Sequence, residues 1–156
     1  SGNEKRWSIN NYLKLIKFLK EKNYKKFLII SGLDQEKEEV LIKENFIDDI
    51  EITFTSDKKI SDVIPYLKRC QFCIGNDTGF AHLSVNLDIE TMVIQGDCPP
   101  QTYSALLKHI DIEPDVIRSP TSIHTIKVEK VLNELSNFLV KRRGGRAVEG
   151  ARLESV

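Results

Sequence analysis

The stretch Phe72-Cys73-Ile74-Gly75-Asn76-Asp77-Thr78-Gly79-Phe80-Ala81-His82-Leu83 gathers the groups best suited to do chemistry. An apolar run breaks at Gly-Asn-Asp and resumes with helical spacing, which reads as a strand, a tight turn and a helix N-terminus. The first N–H groups of such a helix, on Thr78, Gly79 and Phe80, have no partner within it and attract anions, phosphate above all. Gly79 lets a ligand approach the backbone without a Cβ in the way. His82 lies three residues beyond Gly79, on the same helical face, where its imidazole can donate a hydrogen bond to a phosphate oxygen. The Asp77 carboxylate would repel phosphate, so it suits the hydroxyls of a sugar, or the cap of the helix that Thr78 begins. Together these point to a nucleotide or nucleotide-sugar site.

Composition narrows the setting. With 156 residues and 40% hydrophobic content, the chain can bury one core and reads as a single domain. Lys plus Arg and Asp plus Glu both total 23, so whole-chain charge argues against nucleic acid or a membrane as the main partner. No apolar run approaches the roughly 20 residues that span a bilayer, and the first residues hold no signal-peptide-like segment. Three cysteines do not make a disulfide framework, and the expectation is a soluble, cytoplasmic protein.

Elements alternate along the chain. Ser8 caps a helix in which Ile9, Tyr12, Leu13, Ile16 and Leu19 share a face. Phe27 to Ile30 reads as a short buried strand ending in the Ser31-Gly32-Leu33-Asp34 turn, followed by an acidic helix from about Glu36 to Lys43. Ile50 to Phe54 is a second strand, Ser61 to Lys68 a short helix interrupted by Pro65, and Phe72 to Ile74 a third strand. Thr91 to Ile94 is a fourth, closed by Gln95-Gly96-Asp97-Cys98-Pro99-Pro100, and a last helix carries Val128, Val131, Leu132, Leu135, Phe138 and Leu139. Short apolar strands alternating with amphipathic helices predict an α/β fold, a Rossmann-like parallel sheet with helices on both faces, whose ligands bind beyond the C-terminal ends of the strands. The pattern opens without a leading strand. At the other end four of the seven arginines fall within Arg142–Arg152, so residues 141–156 form a basic Gly/Arg-rich tail, either disordered or foreign to the fold.

Lys5-Arg6-Trp7 ahead of a helix, Gly32 after the first strand, and above all the run from Gly75 to Leu83 resemble the C-terminal half of glycosyltransferase family 9, the heptosyltransferases of lipopolysaccharide assembly. In that family the motif runs Asn-Asp-Ser/Thr-Gly, two variable residues, then His-Leu. The resemblance covers roughly residues 1–140. It implies the donor-binding domain of a two-domain GT-B enzyme, truncated at its N-terminus and lacking its first strand. The acceptor-binding domain, with the family's general base, would lie outside the chain. The donor would be a nucleotide sugar, typically ADP-heptose, and the reaction an inverting transfer to a lipid-linked saccharide, at the inner membrane when the protein is intact. The fragment alone would be inactive.

Carried onto this sequence, the resemblance assigns the catalytic residues to Lys5 and Asp77 and the donor contacts to Ser1, Lys5, Asp34, Glu36, Asp77, Thr78, Gly79 and His82. Lys5 would stabilise the leaving nucleoside diphosphate as negative charge builds on it. Asp34 or Glu36 would accept hydrogen bonds from the ribose hydroxyls. No cofactor and no metal are implied. Three other readings compete. Asp77-Thr78-Gly79 is also the triplet of aspartic proteases, but those are all-β. Cys70-Gln71-Phe72-Cys73 has redox-motif spacing, yet it enters a strand instead of opening a helix. The third is a nucleotide-binding module without catalysis.

Overall fold

The computed structural model describes residues 3–145 and 154–155. A 3-10 turn at Asn3–Lys5 leads to α1 (Ile9–Glu21), then β1 (Lys26–Ile29), α2 (Glu36–Phe46), β2 (Glu51–Phe54), α3 (Ile60–Leu67), β3 (Phe72–Asn76), α4 (Gly79–Asn86) and β4 (Glu90–Gln95). β5 (Leu107–Asp111), a 3-10 turn at Ser122–Thr125, α5 (Val128–Gly145) and β6 (Glu154–Ser155) complete the order. The strands form one sheet in the order β2-β1-β6-β3-β4-β5, parallel at every pairing. β6, of which two residues are described, joins a β2-β1 ladder to a β3-β4-β5 ladder.

Successive strand residues point to opposite faces, and both faces are covered. Phe27, Phe72, Ile74, Met92, Ile94 and Ile110 face a core built with α1, α2 and α5 through Leu15, Ile16, Leu19, Ile42, Phe46, Val131 and Leu135. Leu28, Cys73 and Val93 face the other way, toward Leu67 of α3 and Ala81 and Val85 of α4. Apolar strands without polar alternation are therefore what this sheet requires. Phe72 is fully buried at its centre, edge-on to Tyr24 and Phe138 with centroids 5.6 and 5.5 Å away.

Helix ends follow local chemistry. The Ser8 side chain accepts from the Asn11 N–H at the start of α1, the cap expected from the sequence. α1 and α4 each end through a left-handed residue, Asn23 (φ 72) and Asp88 (φ 62). In both, the next residue bonds back five positions, Tyr24 N–H to Leu19 and Ile89 N–H to Ser84, each at 3.0 Å.

Three features differ from the sequence reading. Pro65 does not break α3, because Val63 and Leu67, one turn apart, anchor the helix to the core while Pro65 faces solvent. β5 was not expected: Leu107-Lys108-His109-Ile110-Asp111 mixes polar residues into an edge strand with only one strand neighbour. α5 runs past residue 140 to Gly145, and the other described residues of the expected tail are the pair forming β6; the remainder of 141–156 lies outside the described residues.

Replacing Phe72 by Ala should remove a ring from the centre of three interlocked aromatics and cost about 3–5 kcal/mol, read as a fall in the chemical-denaturation midpoint.

Candidate functional site

The carboxyl edge of β3 organises the site. Asn76, its last residue, uses its side-chain oxygen to accept from the Trp7 backbone N–H at 3.2 Å and from the Tyr12 hydroxyl at 2.9 Å. Trp7 is 2% exposed and its indole N–H donates to the Ile126 carbonyl at 2.8 Å, while its ring meets Tyr12 edge-on at 5.3 Å. Withdrawal from water pushes the Tyr12 phenol well above its ordinary value, so it remains a donor at any ordinary pH. The loop carrying Lys5 is thus tied to β3 on one side and to the segment leading into α5 on the other.

Lys5 reaches across to the loop after β4, its ammonium 2.7 Å from Asp97 Oδ2. The hydrogen bond and the charge of Asp97 raise the Lys5 pKa, and the same bond holds the Asp97 carboxyl below its ordinary value. Lys5, Asp77, Gly96 and Asp97 line a cavity of about 300 Å³ with Ile94, Pro120 and Ile123. Asp77 accepts through Oδ1 from His82 Nε2 at 3.1 Å and through Oδ2 from Gln95 Nε2 at 3.4 Å. A carboxylate only accepts, so Nε2 carries a proton toward Asp77, while Nδ1 lies 2.7 Å from the Tyr103 hydroxyl. His82 is held at both nitrogens.

The Asp77 side chain is therefore engaged by His82 and Gln95. Thr78, not Asp77, is the N-cap residue of α4, and its side chain makes no capping bond. The carbonyl of Thr78 accepts from the Ala81 and His82 N–H groups, leaving those of Gly79 and Phe80 without a partner among the described residues. A Cβ built on Gly79 meets nothing within 4 Å. The helix end is open to a ligand.

The loop after β4 is fixed from below. Arg118 donates to the Cys98 carbonyl at 2.9 Å and to Asp111 Oδ1 at 2.8 Å, and that pairing holds the Asp111 carboxyl below its ordinary value. Gly96 packs so tightly on the 3-10 turn at Ser122–Thr125 that a Cβ would stand 2.3 Å from the Ile123 nitrogen. Asp77, Asp97 and Cys98 bring one ligand-type atom each within 4.8 Å of one another. Sequence spacing showed no such set because β3 and β4 bring together residues about twenty apart. Burial pushes the Cys98 thiol up, with Asp97 and Asp77 adding to the effect. Cys70 and Cys73 are buried, and burial pushes Cys73 up to about 11.

Of the residues singled out in the sequence, Lys5 and Asp77 share the smaller cavity, with His82 bonded to Asp77. Thr78 and Gly79 lie at the adjacent mouth of α4. Asp34, on the loop after β1, lines a larger cavity of about 600 Å³ together with Arg6, Asn76 and Thr78 and pairs with Arg6 at 2.8 Å, which lowers its pKa. Glu36 is exposed at the first position of α2, and Ser1 lies outside the described residues. Sequence reasoning missed Asn76, Tyr103 and Arg118 as parts of the site, and it placed the Gln95–Pro100 loop at the ligand edge without giving Gln95 or Asp97 a task of its own. Gly96-Asp97 after an apolar strand repeats the signal that marked Asp77, so Asp97 was within reach; Tyr103 and Arg118 carry no such signal.

A family model for glycosyltransferase family 9 (heptosyltransferase) matches residues 1–122. The chain belongs to glycosyltransferase family 9. Among solved structures, the family 9 glycosyl transferase from Veillonella parvula DSM 2008 superposes with a TM-score of 0.75 at 15% identity, over 90% of this chain and 44% of that one. E. coli ADP-heptose lps heptosyltransferase II matches with a TM-score of 0.71 at 20% identity, over 91% of this chain and 44% of its own. E. coli heptosyltransferase WaaC with ADP-2-deoxy-2-fluoro heptose matches with a TM-score of 0.67 at 17% identity, over 88% and 40%. These likenesses show the fold, and this family 9 chain spans less than half the length of each. No curated protein matches the chain by sequence. Among the described residues, no helix is long and apolar enough to cross a membrane.

Asn76→Ala should leave the Trp7 N–H and Tyr12 hydroxyl unpaired and lower stability by about 1–3 kcal/mol, measured by denaturant titration. Asp111→Asn tests the Arg118 anchor through pH. Because the folded Asp111 pKa lies below its ordinary 3.8, its stabilisation is complete above that value and is lost as the pH falls through the lower folded one. The variant should be about 1 kcal/mol less stable at neutral pH, and the gap should close in acid melts.

Proposed function

We propose that this chain is the donor-binding half of an inverting glycosyltransferase that takes an ADP-sugar, ADP-heptose in the simplest case, and passes the sugar to a lipid-linked saccharide of lipopolysaccharide type. The observation that carries the reading is that Lys5 and Asp77 share one cavity beside the open N-terminus of α4. A cation and unpartnered N–H groups suit a diphosphate, and a carboxylate beside them suits sugar hydroxyls. The E. coli WaaC structures with ADP and with ADP-2-deoxy-2-fluoro heptose support an adenine nucleotide as the donor's leaving group.

In this reading the N–H groups of Gly79 and Phe80 and the Thr78 hydroxyl bind the pyrophosphate. Lys5 swings from Asp97 toward the phosphates and stabilises the charge that develops as the glycosidic bond to the diphosphate breaks. Asp77 accepts from hydroxyls of the transferred sugar, and His82, held between Asp77 and Tyr103, fixes that carboxylate's orientation or turns to donate to a phosphate oxygen. Asp34 or Glu36, with Ser1, completes the ribose side. Lys5, the Asp77-bound imidazole and the dipole of α4 offset the diphosphate charge without a cofactor in the scheme. The acceptor and general base come from the other half of a two-domain enzyme, cytoplasmic and peripheral at the inner membrane when whole. The chain alone binds donor without transferring it.

Thermal-shift titration with ADP, UDP, GDP and CDP tests this. ADP at a hundred times its dissociation constant should stabilise the fold by about 2.7 kcal/mol, selectively over the other three nucleotides. Lys5→Ala should weaken ADP binding about tenfold. Asp77→Asn should spare ADP but weaken the ADP-sugar. No response to any nucleotide would remove the donor-site reading, and sugar transfer by the 156 residues alone would remove the claim that the second half is required.

A further inference from the structure

The two outer edges of the sheet are built differently. β5 carries Lys108 and His109 in its middle, polar residues of the kind that keep an open edge from pairing. β2 has only β1 beside it among the described residues and holds neither Lys nor Pro. Its Ile52 and Phe54 are half-buried, and its one charged residue, Glu51, is engaged by Lys26 at 3.0 Å. Ile52 and Phe54 pack on the same core as Ile42 and Phe46 of α2, and the Lys43 ammonium of α2 lies 4.8 Å from the centre of the Phe54 ring. Lys43 thus marks the flank of α2 that overhangs the β2 edge. On that flank Val40 and Ile47 are 49% and 75% exposed, whereas Glu39, Ile42 and Phe46 face inward. Their separation is almost two helical turns, so Val40 and Ile47 form one apolar seam above an apolar strand edge.

We propose that this flank is an interface with a second copy of the chain, in which β2 pairs antiparallel with the second β2 and α2 lies antiparallel against the second α2 about one two-fold axis. An axis normal to the sheet keeps each face of one copy continuous with the same face of the other. With Thr53 opposite itself, Ile52 meets Phe54 of the second copy on the α2 face, and the symmetry makes this pair of a β-branched and an aromatic side chain occur twice. Charge selects this partner. Lys37 and Glu44 are exposed on the side of the Val40–Ile47 seam away from Lys43, and antiparallel pairing sets each Lys37 against Glu44 of the second copy. On the side nearer the sheet, Glu36 and Lys43 complement each other in the same way. A parallel arrangement would instead set Lys against Lys and Glu against Glu. Paired strands lie about 4.8 Å apart and packed helices about 8–10 Å apart, so both contacts fit one axis when the helices sit just inside the strand edge.

Sedimentation equilibrium of the full chain tests this. The chain should dimerise with a dissociation constant of about 10 µM, and exchange of the β2 amides should slow as the protein is concentrated. Ile47→Glu changes an exposed side chain, so it should leave the monomer folded and weaken dimerisation about tenfold or more. Lys37→Glu and Glu44→Lys should each weaken it about tenfold by setting like charges against each other, and the double variant Lys37→Glu/Glu44→Lys should restore it. A chain that stays monomeric up to about 0.5 mM, a dimer indifferent to Ile47→Glu, or single swaps that the double swap fails to rescue would each overturn the proposal. No nucleotide enters these measurements, so either outcome leaves the donor-site reading as it stands.

Discussion

The Asn76 side chain is the contact on which the functional edge depends. One amide oxygen receives the Trp7 N–H and the Tyr12 hydroxyl, joining the loop before α1, the helix itself and the end of β3. Trp7 extends the tie to Ile126, ahead of α5. The residues involved are distant in sequence, and only parallel strand order brings them to one place. Lys5 sits two residues from Trp7, so its reach toward Asp97 is set by this clamp and not by its own flexible side chain. A part-buried junction in which one oxygen takes two donors is costly to disturb, and it fixes geometry more firmly than an exposed ion pair does.

Around that edge, charge is arranged in compensating pairs. Lys5 meets Asp97, Arg118 meets Asp111, and Asp77 takes the His82 imidazole and the Gln95 amide. Asp77 lies next to a helix N-terminus whose Gly79 and Phe80 N–H groups have no partner among the described residues. An arriving diphosphate would gain from the helix end and from Lys5, and would be repelled by Asp77 and Asp97 unless Lys5 changes partner. The Lys5–Asp97 bond is exposed and worth little by itself, which suits a contact that exchanges for a ligand. Gly96, pressed against the Ile123 backbone, keeps the Asp97 loop low enough for Lys5 to span the cavity.

How legible the site was from the sequence depends on how local its parts are. The turn Gly75-Asn76-Asp77-Thr78-Gly79 and the helix behind it are consecutive, so the strand, the cap region and the position of His82 could be read directly. The core-facing strands were legible because burial on both faces demands unbroken apolar runs. β5 was not, because an edge strand tolerates Lys108 and His109. Pro65 misled because its helix is held by Val63 and Leu67, and tertiary packing outweighs one lost main-chain bond. Gln95, Tyr103 and Arg118 join the site from other elements, and nothing in their own neighbourhoods announces it.

The sequence by itself determined the alternation of elements, the parallel covered sheet and the Gly-Asn-Asp-Thr-Gly turn after β3, since periodicity, glycine placement and helix-end chemistry act over a few residues. The family resemblance rested on the same local run. Only the tertiary structure decided that Lys5 pairs with Asp97, that His82 bonds Asp77 through one nitrogen and Tyr103 through the other, and that Asn76 clamps Trp7. It alone decided that β6 stands in the centre of the sheet. Each of these depends on strand order and loop packing, which bring together residues far apart in the chain, and no local pattern encodes such distances.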